Sequence, residues 1–299
     1  MTVLPQRRIG RFSVSSIGLG AMPFSMGGNV KPSRDQAIAT VHAALDAGVT
    51  LVDTADIYAP RWDEMGHNER IVAEALSTWE GDRSSVVVAT KGGITRRSAE
   101  ADFGRDGSLS YLREAALASR ERLGVDAIDL YYWHRPDRHR LYAESIEALA
   151  QLQREGIIVE IGISNANVEE LEVALEVVGA GGLAAVQNEF SPRFNHTSYA
   201  ELQWCTDHDV AFLPWSPLGG TGGGAVAVGE RFPVIAEVAE AHGVSPQRVT
   251  LAWELGLSES VIPIPGASRP ASIRDSAAAS SLTLLDAERE RISAAVLSR

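Results

Sequence analysis

A carboxylate and a phenol lie five residues apart after a short apolar segment. Asp53 closes residues 50–52, and Tyr58 follows it. Each has an ordinary structural role available: Asp53 could cap the next turn, and Tyr58 could be a half-buried aromatic whose hydroxyl meets water. A packed core does not require an aspartate and a tyrosine at this spacing. The residues that follow the next apolar segments can show whether the two have a chemical role.

Two further reactive side chains follow apolar segments. Lys91 comes after residues 86–90, and His134 comes after residues 128–133. An unpaired ammonium at a buried strand end is costly, so Lys91 needs a partner, and Asp53 is the natural candidate. A single histidine in such a position is more often structural. Four such residues at the ends of consecutive strands would nevertheless converge on one spot.

The four side chains together predict proton transfer to or from a carbonyl oxygen. A tyrosine hydroxyl titrates near ~10, and a neighbouring ammonium lowers that pKa. We therefore expect Lys91 to lower the pKa of Tyr58 and make it a usable acid or base near neutral pH. Asp53 would hold Lys91 in place and keep it charged. No side chain carries a hydride, so a cofactor must supply it.

The order of apolar runs and helical patterns predicts an α/β protein with parallel strands. Eight strands are predicted, which favours a single (β/α)8 TIM barrel; an open doubly wound sheet is the alternative. An N-terminal β-hairpin over 7–14 and a C-terminal extra helix over 285–298 complete the prediction. The predicted strands end near Gly20, Asp53, Thr90, Trp133, Ile163, Gln187, Trp215 and Ile264.

Helix starts and stops support this order. Capping residues are followed by helical patterns, and glycines end several of them. The starts are Ser33, Asn167 and Ser245; the stops are Gly48, Gly124 and Gly156. No domain boundary is evident, so residues 1–299 are predicted to form one domain. Four longer stretches without helical pattern follow strands and would lie at the carboxyl ends of the strands: 59–67, 92–107, 134–141 and 216–230.

Composition excludes several classes of protein. The net charge is -12 and the pI about 5.1, so a general nucleic-acid or anionic-membrane surface is not expected. We see neither a long apolar span nor a signal-peptide pattern. A single cysteine, Cys205, fits a reducing compartment and a cytoplasmic location. The histidines do not cluster as metal ligands, and no Ser/His/Asp set follows the strands.

The chain resembles the aldo-keto reductases over nearly its whole length. The motifs that carry the resemblance are Asp53-x4-Tyr58, Lys91, the segment 129–137 around His134, and the residues 17–20, 162–165, 187, 215–218 and 264–268. The resemblance implies that Tyr58 is the general acid or base, tuned by Lys91 and Asp53, and that His134 orients the substrate carbonyl. Histidine rather than glutamate at 134 implies carbonyl reduction rather than double-bond reduction.

The resemblance also implies a nicotinamide cofactor, bound in a different way from the Rossmann fold, because no Gly-x-Gly-x-x-Gly opens a helix after the first strand. Ser164, Asn165 and Gln187 would hold the carboxamide. Trp215 would stack on the nicotinamide ring, the alternative being a plain core residue. The glycine-rich run that begins at Ser216 would cover the pyrophosphate. The cofactor residues of this run and of the eighth strand are Ser216, Pro217, Leu218, Gly219 and Gly266.

The predicted adenosine end of the cofactor site favours NADPH over NADH. Ser268 and Arg269 precede a helix start, where they could bind a 2'-phosphate. A solvated arginine is the alternative. Asp275 and Ser276 replace the glutamate-asparagine pair that is common in the family, so Asp275 is the candidate for the adenine contacts.

The predicted substrate is a small carbonyl compound or alcohol. An apolar mouth would be formed by Met22, Phe24, Trp62 and Trp133. Arg96 and Arg97 could favour an anionic substrate, although a solvated loop accounts for them more simply. The predicted activity is NADPH-dependent, reversible reduction of an aldehyde or ketone. The alternative is a non-catalytic subunit that senses NADP(H) and binds a protein partner; the intact set of four residues favours the enzyme.

Overall fold

The computed structural model describes residues 3–27, 31–96, 98, 103–196, 198–220 and 223–297. Within these residues lie two antiparallel hairpins, β1–β2 and β6–β7, and a parallel sheet. The strands are β1 (Gln6–Ile9), β2 (Phe12–Ser15), β3 (Leu19–Gly20), β4 (Leu51–Asp53), β5 (Val87–Gly92), β6 (Ile94–Arg96), β7 (Phe103–Arg105), β8 (Ile128–Trp133), β9 (Ile158–Ser164), β10 (Ala185–Gln187) and β11 (Ala211–Phe212).

The parallel sheet has seven strands in the order β3-β4-β5-β8-β9-β10-β11. Residues 260–266 hydrogen-bond to both of its edges, as expected for the eighth position of a (β/α)8 barrel. The bonds are Phe212 N to Ser260 O (2.8 Å) and Ile262 N to Phe212 O (2.8 Å) at one edge, and Gly18 N to Pro263 O (2.9 Å) and Gly20 N to Pro265 O (3.1 Å) at the other. Proline has no N–H, so this segment cannot donate as a regular strand does.

Helices follow the parallel strands and cover the outside of the sheet. They are α1 (Arg34–Asp46), α2 (His67–Thr78), α3 (Leu109–Leu123), α4 (Tyr142–Arg154), α5 (Val168–Val178), α6 (Tyr199–Asp207), α7 (Gly224–Arg231), α8 (Pro233–His242), α9 (Pro246–Leu255), α10 (Pro270–Ala277) and α11 (Asp286–Leu297). Short 3-10 helices occupy Met22–Phe24, Trp62–Glu64, Arg83–Ser85 and Ala278–Ser281. In the described part of the chain, none of these helices is long and apolar enough to cross a membrane.

The predicted caps are confirmed. The side chains of Ser33, Asn167 and Ser245 each accept a hydrogen bond from a backbone amide in the first turn of α1, α5 and α9. The predicted hairpin and C-terminal helix are also present, as β1–β2 and α11.

One of the stretches predicted to be non-helical contains a helix, because residues 216–230 include most of α7. Residues 92–107 include the hairpin β6–β7, which was not among the predicted strands. The glycines of 219–224 obscure the helical pattern that follows them. α7 nonetheless packs on α8 and α9 and buries Val228, so tertiary contact stabilises a helix that its own sequence indicates poorly.

The interior of the sheet is filled by alternate residues of its strands. Leu51 of β4, Ala89 of β5, and Leu130 and Tyr132 of β8 share one buried cluster with Ile9 of the N-terminal hairpin. Successive strand residues point to opposite faces. Asp53, Lys91 and His134 each come two residues after an inward-facing residue of β4, β5 or β8. They therefore face the same interior at the carboxyl ends of these strands, which is how the fold positions the site.

Candidate active site

Lys91 and Asp53 form a buried ion pair at the carboxyl ends of β5 and β4. Lys91 Nζ lies 2.5 Å from Asp53 Oδ1, 2.8 Å from the carbonyl oxygen of Thr54 and 3.4 Å from the Tyr58 hydroxyl. These three contacts use the three donors of an ammonium. Lys91 is fully buried and Asp53 almost so. Separating the two side chains would leave an uncompensated charge in the protein interior. That cost keeps Lys91 and Asp53 in contact.

Electrostatics keep Lys91 protonated. Burial lowers the pKa of the Lys91 ammonium, but Asp53 and Tyr58 together outweigh it, and the pKa lies above its ordinary value. Burial raises the pKa of Asp53, and the contacts with Lys91 and Gln187 oppose that rise. The partner that the sequence indicated for Lys91 is therefore the one it has.

The expected lowering of the Tyr58 pKa needs correction. Burial raises the pKa of Tyr58, Lys91 lowers it, Asp53 raises it, and the net direction is upward. Burial destabilises the phenolate form of Tyr58 more than the Lys91 ammonium stabilises it. Tyr58 is therefore a protonated phenol at neutral pH, which suits a proton donor. Its ammonium contact is the group that would stabilise the phenolate after donation.

His134 stands beside Tyr58 as a neutral imidazole. The two ring centroids are 5.8 Å apart and the rings are nearly perpendicular. Burial lowers the pKa of His134 well below its usual value, and Lys91 and Arg135 lower it further. His134 Nδ1 is buried without a hydrogen-bond partner among the described residues. His134 lines the cavity, so its imidazole can contact a ligand there.

A hydrogen-bonded layer joins this group to the next strands. Gln187 Nε2 donates to Asp53 Oδ2 at 2.8 Å, and Ser164 Oγ donates to the Gln187 carbonyl oxygen at 2.8 Å. Asn165 Nδ2 donates to the His134 carbonyl oxygen at 3.0 Å. The three residues predicted to bind the carboxamide are therefore hydrogen-bonded to Asp53, to His134 or to one another. Sequence reasoning did not anticipate these contacts.

The site opens into a cavity of about 320 Å³. The predicted site residues that line it are Met22, Asp53, Tyr58, His134, Ser164, Asn165, Gln187, Trp215, Ser216, Pro217, Leu218 and Gly266. Lys91 lies beneath it. The residues predicted for catalysis and those predicted to bind the cofactor are far apart in sequence, and the fold brings them together in one cavity.

Three of the four predicted wall residues do not line the cavity. Trp133 is fully buried and packs on Tyr142, because it faces the helices while Tyr132 before it faces the interior. Phe24 is buried in the core between sheet and helices. Trp62 lies in a 3-10 helix and is exposed.

The predicted adenosine contacts lie outside this cavity. Arg269 is exposed at the start of α10, 3.4 Å from Ser272 Oγ, and Ser268 precedes it. Asp275 accepts hydrogen bonds from Arg248 Nη2 at 2.6 Å and from Ser245 Oγ at 2.5 Å. Its carboxylate is thus already occupied. Gly219 is also absent from the cavity wall.

Several cavity residues were not predicted. Phe103 comes from the hairpin β6–β7, and Ile57 and Ile94 add apolar surface. The alternation within 94–96 and 103–105 was the signal for that hairpin. Arg135 also lines the cavity, whereas Arg96 donates to the Ala59 carbonyl oxygen at 3.0 Å. Arg97 lies outside the described residues.

The donors and backbone of the second half of the cavity suit a nicotinamide nucleotide. Asn165 adopts a positive φ, so its side chain projects from a sharp turn at the cavity, and Oδ1 has no hydrogen bond within the described ranges. Trp215 Nε1 is a buried donor without a partner among those same residues. Ser216 and Gly219 also have positive φ, which turns the backbone at the start of the glycine-rich run.

Comparison with known proteins shows the family of the chain. The profile of the Aldo/keto reductase family matches residues 16–296. The chain is 31% identical to the pyridoxine 4-dehydrogenase of Escherichia coli, over 92% of this chain and 93% of that protein. It is 30% identical to an aldo-keto reductase of Strobilurus tenacellus, over 95% of this chain and 90% of the relative.

Solved structures show the same likeness. The glycerol dehydrogenase from Gluconobacter oxydans has a TM-score of 0.82 at 25% identity, covering 98% of this chain and 96% of the other. An aldo-keto reductase from Klebsiella pneumoniae in complex with NADPH has a TM-score of 0.80 at 26% identity, covering 99% and 96%. The protein belongs to the aldo/keto reductase family of oxidoreductases.

Proposed function

We propose that this protein reduces an aldehyde or ketone to the alcohol, reversibly and with NADPH, and that it does so as one cytoplasmic domain over residues 1–299. The observation that carries the proposal is the contact of the buried Lys91 ammonium with the Tyr58 hydroxyl at the base of the cavity. A tyrosine that only fills the core does not need an ammonium beside its hydroxyl. A tyrosine that donates its proton does, because the ammonium stabilises the phenolate that remains.

The geometry of the site supports the proposed roles. Tyr58 donates its proton to the carbonyl oxygen, and Lys91 stabilises the phenolate that forms. Asp53 keeps Lys91 charged and in place. Neutral His134 orients the carbonyl by a hydrogen bond from Nε2. A reduced nicotinamide nucleotide, when bound, supplies the hydride. Because burial raises the pKa of Tyr58, reduction is favoured at neutral pH and alcohol oxidation at higher pH, where the phenolate becomes available.

The cofactor is proposed to bind along the other half of the cavity. Ser164, Asn165 and Gln187 would hold the carboxamide, and Trp215 would face the ring. The segment 216–219 would lie over the pyrophosphate. The choice of NADPH rests on the similar structure that contains it and on the exposed guanidinium of Arg269 at the start of α10.

A titration followed by turnover tests the proposal. NADPH and NADH are titrated while tryptophan fluorescence is measured, since Trp215 lines the cavity. NADPH should quench the emission and bind more tightly than NADH. Oxidation of NADPH is then measured with a panel of aldehydes and ketones, and reduction of NADP+ with pyridoxine and glycerol, which the names of the relatives suggest.

The outcomes separate the functions. Binding with turnover of a carbonyl compound supports the reductase. Binding without turnover of any compound would favour the non-catalytic cofactor sensor. Absence of binding by either nucleotide would contradict both proposals.

A further inference from the structure

Arg135 lines the cavity, and its guanidinium has no hydrogen-bonded partner among the described residues. Arg135 follows His134 directly and is half-buried in the cavity wall. Within the described part of the chain, its side chain makes no hydrogen bond and no ion pair within 4.0 Å. The nearby arginines are engaged: Arg96 donates to the Ala59 carbonyl oxygen at 3.0 Å, and Arg105 to the Pro136 carbonyl oxygen at 3.3 Å.

The surroundings of Arg135 compensate its charge only in part. Burial lowers the pKa of Arg135, and Arg105 lowers it further, whereas Glu189 raises it. Glu189 is itself half-buried and shared with Arg193. A guanidinium stays charged in a protein, so its unmet donors favour an anion. A ligand that brings a carboxylate would provide one.

Arg135 and Tyr58 belong to one cavity. The charge of Arg135 is close enough to lower the pKa of Tyr58, and both side chains line the same wall. The same cavity is lined by the apolar side chains of Ile57, Ile94 and Phe103. A ligand that reached from Tyr58 to Arg135 would therefore be apolar in its middle and charged at one end.

We propose that Arg135 forms an anion subsite, and that the preferred substrates are carbonyl compounds bearing a carboxylate on an apolar body. The proposal rests on the proposed reductase function. Arg135 is a specificity-determining residue: it binds the far end of the substrate and does not take part in proton or hydride transfer. A planar guanidinium can hold a carboxylate with two parallel hydrogen bonds.

Matched aldehydes test the subsite. The kcat/KM of NADPH-dependent reduction is measured for 4-carboxybenzaldehyde and for 4-methylbenzaldehyde, which is similar in shape and uncharged. The wild type should prefer the carboxylate. Arg135→Gln should lower the ratio of the two kcat/KM values by about 10-fold or more, mainly through KM, since hydrogen bonds to charged groups are stronger than neutral ones. Arg135→Lys should keep part of the preference.

A nearby exposed arginine is the control. The exposed side chain of Arg138 pairs with the mostly buried Glu170 and does not line the cavity, so Arg138→Gln should leave the ratio within about 2-fold of the wild-type ratio. A ratio that is unchanged in Arg135→Gln would overturn the subsite.

Binding measurements distinguish a substrate subsite at Arg135 from a cofactor-phosphate site. If Arg135→Gln weakens NADPH binding about 10-fold and leaves the substrate ratio unchanged, Arg135 binds a cofactor phosphate and the proposal fails. If the wild type reduces neither these aldehydes nor any other carbonyl compound of the panel, the proposed function fails. The subsite is then decided by the binding of 4-carboxybenzaldehyde to the NADP+-loaded protein: a loss in Arg135→Gln supports it, and equal binding overturns it.

Discussion

The two halves of the cavity differ in how their polar groups are satisfied. On the side of β4, β5 and β8, the charged groups of Lys91 and Asp53 have partners inside the protein, at 2.5 to 3.4 Å. On the side of β9 to β11, Trp215 Nε1 lacks a partner among the described residues, and beyond the cavity Arg269 is exposed at the start of α10. The Lys91–Asp53 pair is therefore preorganised by the protein itself, whereas Trp215 Nε1, like His134 Nδ1 and Arg135 on the first side, is a group that a ligand could satisfy.

This difference separates chemistry from binding. Preorganised dipoles and charges act on the transition state, because they need no rearrangement when charge develops. Groups that await a ligand contribute to affinity. Substitutions of Tyr58, Lys91 or Asp53 should therefore change kcat, and substitutions in the second half should change cofactor binding. Gln187 crosses this division, since it donates to Asp53 from the cofactor side.

The largest expected effect is at Tyr58. Tyr58→Phe removes the proton donor and should lower kcat for carbonyl reduction by about 100-fold or more, the usual scale of acid catalysis. The NADPH dissociation constant, measured by tryptophan fluorescence, should change little, because the hydroxyl contacts Lys91 and not the cofactor half.

The matched control is Tyr199→Phe, which removes an exposed hydroxyl outside the cavity and should keep wild-type turnover. An unchanged kcat in Tyr58→Phe would contradict the distinction between the two halves. A loss of NADPH affinity as large as the loss of kcat would weaken that distinction.

A smaller effect is expected at Arg269. Arg269→Ala should weaken NADPH by about 10-fold, the scale of one charge-assisted contact, and NADH by much less, because only NADPH carries the 2'-phosphate. The dissociation constants of both nucleotides are measured for each variant. Arg291→Ala, at an exposed ion pair with Glu237, is the control. Parallel losses for NADPH and NADH would instead assign Arg269 a structural role.

The smallest effect is expected at Asp275. Its carboxylate is bound by Arg248 and Ser245, so Asp275→Asn and Arg248→Gln should each lower the free energy of unfolding by about 1 kcal/mol or less, the scale of a partly exposed ion pair. Urea denaturation measures both. Equal, small changes in NADPH affinity should accompany them. A selective loss of NADPH affinity in Asp275→Asn would restore Asp275 as an adenine contact.

The strand ends were the most predictable part of the molecule. Asp53, Lys91 and His134 each follow a short apolar run, and side-chain alternation carries that run's inward parity to the polar residue. The same rule could have excluded Trp133 from the cavity, since it stands one residue out of phase with Tyr132. The hairpin β6–β7 and α7 were missed because glycines and short segments give weak local patterns.

What the sequence by itself determined is the alternation of parallel strands with helices, the caps that begin α1, α5 and α9, and the pairing of Lys91 with Asp53. These follow from local periodicity and from the cost of burying a lone charge. Only the tertiary structure decided the direction of the Tyr58 pKa, the commitment of Asp275 to Arg248, and the place of Arg135 in the cavity. Each depends on burial and on partners distant in the chain, which no local pattern records.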